Sequence, residues 1–163
     1  MKIALMMENS QAAKNAIIYK ELKAVADEKA FPVYNVGMSD ENDHHLTYIH
    51  LGIMASILLN SKAVDFVVTG CGTGQGALMS LNIHPGVVCG YCIDPADAFL
   101  FAQINNGNAL ALLSRKALAG ARSSTYALSL KKPLPAVMAR GTRRSVKSRR
   151  CATPVFSTRS KQP

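Results

Sequence analysis

The sequence predicts an α/β domain over residues 1–112, followed by an aberrant basic tail at residues 113–163. The expected architecture is a three-layer α/β/α sandwich on a doubly wound, five-stranded parallel sheet of Rossmann-like type. Three observations predict it. Short apolar, β-branched runs alternate with stretches of helical spacing, the pattern of successive βαβ units. One run, Asp65-Phe66-Val67-Val68-Thr69, passes straight into Gly70-Cys71-Gly72-Thr73-Gly74-Gln75-Gly76 and then into Ala77-Leu78-Met79-Ser80-Leu81, a strand–turn–helix junction. From residue 113 onward the periodicity dissolves and no acidic residue occurs.

The elements follow in order. Residues 2–7 form a first apolar strand, and Asn9 or Ser10 is placed to cap the helix after it, with Ala13, Ile17, Leu22 and Val25 among its apolar positions. Phe31-Pro32-Val33-Tyr34-Asn35-Val36 reads as the second strand, and Gly37 begins the polar loop Ser39-Asp40-Glu41-Asn42-Asp43. Residues 46–59 are apolar at helical spacing and are closed by Asn60-Ser61-Lys62. Residues 65–69 and 87–93 are strands three and four; Asp94-Pro95 opens a helix with Pro in its first turn, and Asn105-Asn106-Gly107 ends it. Residues 108–112 supply the fifth strand. Ligands of such sheets collect beyond the carboxyl ends of the strands. That edge receives Met7-Glu8-Asn9, residues 70–76 and Asp94-Pro95.

Composition narrows the function. A chain of 163 residues makes one domain with one sizeable core. No apolar run approaches the roughly 18 residues of a membrane span. The N-terminus is too short and too soon acidic for a signal peptide, so a cytoplasmic protein is expected. Cys71, Cys89, Cys92 and Cys151 show no paired framework. Cys89-Gly90-Tyr91-Cys92 lies inside a strand, whereas redox C-x-x-C pairs start helices and zinc needs a second ligand pair. Both are read as core thiols, with no metal or cofactor expected. Charge divides sharply: residues 1–110 hold six Lys/Arg and ten Asp/Glu, net −4, while residues 111–163 hold thirteen Lys/Arg and no acid, net +13.

The glycine-rich junction carries the chemistry. Glycines at alternate positions let the backbone turn sharply and approach a ligand. Backbone N–H groups there, joined by a helix N-terminus, make an anion site. Cys71 is the one side chain of the loop able to act as base or nucleophile. A phosphate cradle holding a thiol points to an enzyme acting on a phosphorylated small molecule. The loop lacks the Gly-Lys-Ser/Thr ending of a nucleotide P-loop, and its G-x-G-x-G spacing departs from the dinucleotide fingerprint. The same residues also admit a plainer reading, a glycine-rich turn around a buried thiol.

Lys2-Ile3-Ala4, Cys71-Gly72-Thr73-Gly74-x-Gly76, Asn82, Pro85-Gly86-Val87, Asp94-Pro95 and Gln103-x-Asn105-x-x-Asn108 together resemble the ribose-5-phosphate isomerase B / galactose-6-phosphate isomerase family across residues 1–112. The resemblance implies an aldose–ketose isomerase that moves a proton between C1 and C2 of an open-chain sugar phosphate through a cis-enediolate. It implies Cys71 as the base and Thr73 as its hydrogen-bonding partner or as a support of the loop. Backbone N–H groups of Gly72, Gly74 and Gly76 would meet the oxyanion or sugar oxygens, and Glu8, Asn9 and Asn105 would bind substrate. It further implies a homodimer or tetramer and a C-terminal helix carrying arginines to a partner subunit's phosphate site. Departures bear on substrate choice. Members with ring-opening activity often carry His where this chain has Ile104 and Asn9; the Ser seven residues past the cysteine is Leu78; and an Asp-Tyr-Pro segment is matched only loosely by Leu46-Thr47-Tyr48. His44, His45 and His50 are either substitutes for a missing acid–base group or solvated loop residues, the second being preferred.

The tail has a competing origin. Residues 114–125 back-translate so that the frame starting one base earlier resembles the segment following this strand in close relatives. Residues 146–162 give an ordinary mixed-charge helical sequence in that frame. The tail is therefore expected to be disordered and to be the product of a frameshift. The alternative class is a non-catalytic phosphosugar-binding protein with a nucleic-acid-contacting tail. Residues 140–150 offer six basic side chains but no aromatic platform, zinc spacing or amphipathic helix, so nucleic acid is not the expected partner.

Overall fold

The structure, a computed structural model, describes residues 1–38, 40, 42, 43 and 45–113. The expectations placed on Ser39, Glu41, His44, Cys151 and the tail beyond residue 113 lie outside the described residues. In chain order the elements are β1 (Ile3–Met7), a 3-10 turn (Asn9–Gln11), α1 (Ala12–Asp27), β2 (Val33–Asn35), α2 (Tyr48–Asn60), β3 (Phe66–Cys71), α3 (Gln75–Asn82), β4 (Cys89–Cys92), α4 (Pro95–Ile104) and β5 (Ala109–Leu113). All pairings are parallel and the spatial order is β2-β1-β3-β5-β4. The five strands and three layers are those the sequence predicts.

Strand alternation sorts the core. Ile3, Leu5, Met7, Phe66, Val68, Leu110 and Leu112 meet Ile18, Leu22 and Val25 of α1 and Ala98 of α4 on one face. Ala4, Met6, Val67, Cys71, Ala109 and Ala111 meet Leu51 and Ala55 of α2 and Ala77 and Leu81 of α3 on the other. Burial on both faces explains why the central strands read as unbroken apolar runs rather than alternating ones. Among the described residues, no helix is long and apolar enough to cross a membrane.

Several boundaries differ from the sequence prediction, β2 among them at Val33–Asn35 and β5 at Ala109–Leu113, and three of the differences have a clear physical reason. β3 runs on through Gly70 and Cys71, because neighbours on both sides still offer ladder partners there: Met7 opposite Gly70 and Leu113 opposite Cys71. β4 starts at Cys89, since the Val88 N–H is taken by the Asn108 side chain at 2.8 Å. The cap after β1 is neither Asn9 nor Ser10; Glu8 accepts from the Ser10 N–H at 3.3 Å, and α1 itself starts at Ala12. Asp94, by contrast, caps α4 as predicted, accepting from Ala96 N at 2.7 Å and Asp97 N at 3.0 Å with Pro95 in the first turn.

Candidate active site

From β1 the chain crosses to β2 on one side, while β3 lies on the other. Adjacent strands whose connections leave in opposite directions open a crevice at their carboxyl ends. Backbone bonds set its walls: Glu8 N–H donates to Gly70 O at 3.0 Å, and Asn9 N–H donates to Leu46 O at 2.8 Å.

Cys71 stands at the floor, as the last residue of β3 rather than inside the loop. It is 6% exposed, with Sγ 4.0 Å from Thr73 Oγ1. Thr73 Oγ1 also accepts from the Gln75 N–H at 3.3 Å, so the hydroxyl serves both the thiol and the start of α3. Gly74 closes the turn with its N–H donating to Cys71 O at 3.2 Å. Its φ of +78° is a conformation only glycine adopts freely, and a Cβ there would come within 2.6 Å of the Tyr91 ring. The Tyr91 hydroxyl donates to Thr73 O at 3.0 Å and pins the turn from the edge strand. These bonds revise one expectation: the Gly74 N–H is spent on the Cys71 carbonyl, and Gly74 shapes the cradle instead of donating into it. Gly76 and Ala77, in the first turn of α3, have no carbonyl of their own helix to bond. A Cβ at Gly76 would lie 3.2 Å from the Tyr48 ring, so Tyr48 borders that helix start.

Across the crevice lies the turn after β1. Glu8 is 8% exposed and its Oε2 accepts from Ser10 Oγ at 2.5 Å. Asn9 beside it is half-buried. A Cβ placed on Gly72 would lie 3.7 Å from Gln11 Nε2 and 3.9 Å from Ser10 Oγ, so Gly72 faces this turn. The structure thus gathers Glu8, Asn9, Cys71, Gly72, Thr73, Gly74 and Gly76 at one edge. Asn105 is not among them. It ends α4, and the chain then enters β5 level with Val67, the beginning of β3, which puts Asn105 and the exposed Ile104 at the amino edge of the sheet.

Two other groups are accounted for structurally. The Thr47 N–H donates to His50 Nδ1 at 3.1 Å, so His50 caps α2. His45 is exposed, with its N–H donating to Asp43 Oδ1 at 3.4 Å. Cys89 and Cys92 are buried on opposite faces of the sheet. Burial, then the nearby Asp97 and Asp94 charges, pushes the Cys92 thiol up to about 12. Burial, then Cys92, raises Cys89 as well. Sequence reasoning missed Tyr91, Ser10 and Gln11 as parts of the site. Tyr91 was masked by the C-x-x-C around it, whereas Ser10-Gln11 directly after the strand-end acid was a usable signal.

A family model described as Ribose/Galactose Isomerase matches residues 3–131. No curated protein matches. Among solved structures, the chain is 70% identical to a ribose-5-phosphate isomerase from Vibrio parahaemolyticus, with TM-score 0.79, covering 82% of this chain and 63% of that one. It is 44% identical to a 4-deoxy-L-threo-5-hexosulose-uronate ketol-isomerase complexed with a tartrate, with TM-score 0.78, covering 90% of this chain and 79% of that one. A ribose 5-phosphate isomerase from Thermotoga maritima matches at 26% identity and TM-score 0.62, over 80% of this chain and 84% of that one. The chain therefore spans a little under two thirds of the Vibrio protein's length.

Proposed function

This chain belongs to the ribose/galactose isomerase family, and we propose that it is an aldose–ketose isomerase of a phosphorylated sugar with Cys71 as the catalytic base. The observation that carries the reading is the placement of Cys71 at the carboxyl end of β3, opposite Glu8 and directly before the first turn of α3. The Cys71 thiolate takes the proton from C2 of the open-chain aldose, leaving a cis-enediolate. The resulting thiol returns a proton to C1, while the O–H proton passes from O2 to O1. Thr73 holds the sulfur, the N–H groups of Gly72 and Gly76 face oxygen charge, and Glu8 and Asn9 accept sugar hydroxyls. Such positioned donors and a single base are what an enolisation requires. A homodimer or tetramer acting in the cytoplasm belongs to this reading. The outward side chains of α2 and α3, among them Ile49, Ile53, Ile57, Met79 and Ile83, are exposed apolar surface that a second copy would cover.

A second reading is favoured by the 44% match to a hexosulose-uronate ketol-isomerase. The sugar in that name lacks O4 and carries a ketone at C5, so its aldehyde has no hydroxyl placed to close a furanose or pyranose ring. An enzyme for it needs no ring-opening histidine, which suits Asn9 and Ile104 here. The same N–H cradle would then face a carboxylate in place of a phosphate.

The test offers ribose 5-phosphate, galactose 6-phosphate and the 4-deoxy-hexosulose uronate to the purified chain and follows carbon positions by NMR. Accumulation of a ketose phosphate supports the first reading and conversion of the uronate alone supports the second. No conversion of any of the three would overturn both.

A further inference from the structure

Gln11 is 4% exposed, yet its Oε1 has no hydrogen-bond partner among the described residues. Leaving a buried acceptor unpaired costs about 1–3 kcal/mol, so such a group calls for a reason. Its other end is engaged: Nε2 donates to Ser10 Oγ at 2.9 Å, and Ser10 Oγ donates to Glu8 Oε2. An amide, a hydroxyl and a carboxylate therefore form one chain along the crevice wall that faces Gly72. The space on the Cβ side of Gly72 is bounded by Gln11 Nε2 and Ser10 Oγ, each close to 4 Å from the point where a carbon would sit. A primary amide has two N–H groups, and Ser10 uses one. The second N–H gives Gln11 a donor to spare on the side of Gly72, the complement of a sugar hydroxyl oxygen, while the unpaired Oε1 is enclosed and is offered to a ligand only when the side chain turns.

Asn15, one turn further along α1, provides the contrast. It is 3% exposed and its Oδ1 is also unpaired. Its Nδ2 is committed to Met38 O at 2.6 Å and to Asn35 Oδ1 at 3.3 Å. Asn15 ties the chain after β2 to α1, whereas among the described residues the Gln11 side-chain amide binds only its sequence neighbour Ser10.

We propose that Gln11 is a substrate-contacting, specificity-determining residue, whose amide pairs with a hydroxyl of the polyol chain lying over Gly72. This rests on the functional reading above and adds a residue to it. The chemistry it selects is a hydroxyl flanking the reacting carbons, a feature common to aldose phosphates and hydroxylated uronates.

The test is Gln11→Leu, which keeps the bulk and removes the amide. A residue kept for the fold loses stability when changed, but one that keeps an unpaired polar group for a ligand gains it or holds it. The expected result is an unchanged or raised urea midpoint, a KM raised about tenfold with a smaller change in kcat, and tartrate binding by calorimetry weakened by a similar factor, the effect of losing one ligand hydrogen bond. If Gln11→Leu does not fold, Gln11→Met is judged on the same readouts. An unchanged KM and unchanged tartrate affinity, or losses that only follow a fallen midpoint, would overturn the assignment while wild-type turnover leaves the functional reading standing. A wild type that neither turns over nor binds tartrate overturns both.

Discussion

Cys71 and the pair Cys89 and Cys92 are the same chemical group in two regions of one sheet; Cys71 and Cys89 are equally buried, each 6% exposed, and what separates them is their position along a strand. Cys71 closes the central strand β3, where the ladder ends, a glycine turn begins and α3 starts. Cys89 and Cys92 bound the edge strand β4, each facing a hydrophobic layer, with burial holding both thiols protonated. Under the proposed function, the difference means that reactivity follows position along a strand rather than burial. Burial holds the Cys89 and Cys92 thiols protonated, whereas Cys71 adjoins the glycine turn and the first turn of α3, with Thr73 Oγ1 at 4.0 Å from its sulfur.

The sharpest way to break this comparison is to remove each thiol in turn. Cys71→Ala is expected to lower turnover by about two to four orders of magnitude, the loss typical of one general base. Cys89→Ala should leave turnover within a few-fold and lower the unfolding free energy by roughly 1 kcal/mol through the small cavity it leaves. Similar activity losses in both variants would dissolve the distinction.

Gly74 tests whether the turn below Cys71 is as constrained as its geometry implies. Gly74→Ala places a Cβ at a φ of +78°, 2.6 Å from the Tyr91 ring and 3.1 Å from Leu112 O. Chemical denaturation should show a loss of about 1–3 kcal/mol from backbone strain alone, with activity falling alongside. A neutral result would mean that the turn relaxes freely.

The edge-strand thiols make a prediction in pH. A Cys92 thiol raised to about 12 from an ordinary value of 9.0 binds its proton more tightly folded than unfolded. Its contribution to stability is therefore complete below pH 9.0 and is lost as pH climbs towards about 12. Over that window the slope is about −1.4 kcal/mol per pH unit for one group. Subtracting the stability–pH curve of Cys92→Ala from that of the wild type isolates this slope, and a flat difference would show that Cys92 is not held as described. A smaller effect is expected at Tyr91→Phe, which keeps the ring under Gly74 but removes the bond to Thr73 O. About 1 kcal/mol in stability and a few-fold in kcat, measured by denaturation and by initial rates, would show how much of the cradle's rigidity comes from β4.

Much of this was legible in the sequence. The β3–α3 junction could be read because a β-branched run, alternating glycines and a helix former are each locally diagnostic. The Asp94-Pro95 cap was equally clear, since both residue types act through their own backbone. What stayed hidden depends on partners distant in the chain. Whether Gly70 and Cys71 belong to strand or loop is decided by Met7 and Leu113. Nothing local to the fifth strand says that it inserts between β3 and β4. Asn105 was grouped with the site by resemblance, but its place at the amino edge follows from the direction in which α4 returns. Tyr91 could not be picked out, because its hydroxyl acts on a carbonyl 18 residues away.

The most direct test of the account follows solvent deuterium entering C2 of the substrate with Cys71→Ala beside Cys89→Ala. Exchange is expected at close to the wild-type rate in Cys89→Ala and at background in Cys71→Ala, with both variants folded by circular dichroism. Undiminished exchange in Cys71→Ala would contradict it and remove the thiol of β3 from the chemistry.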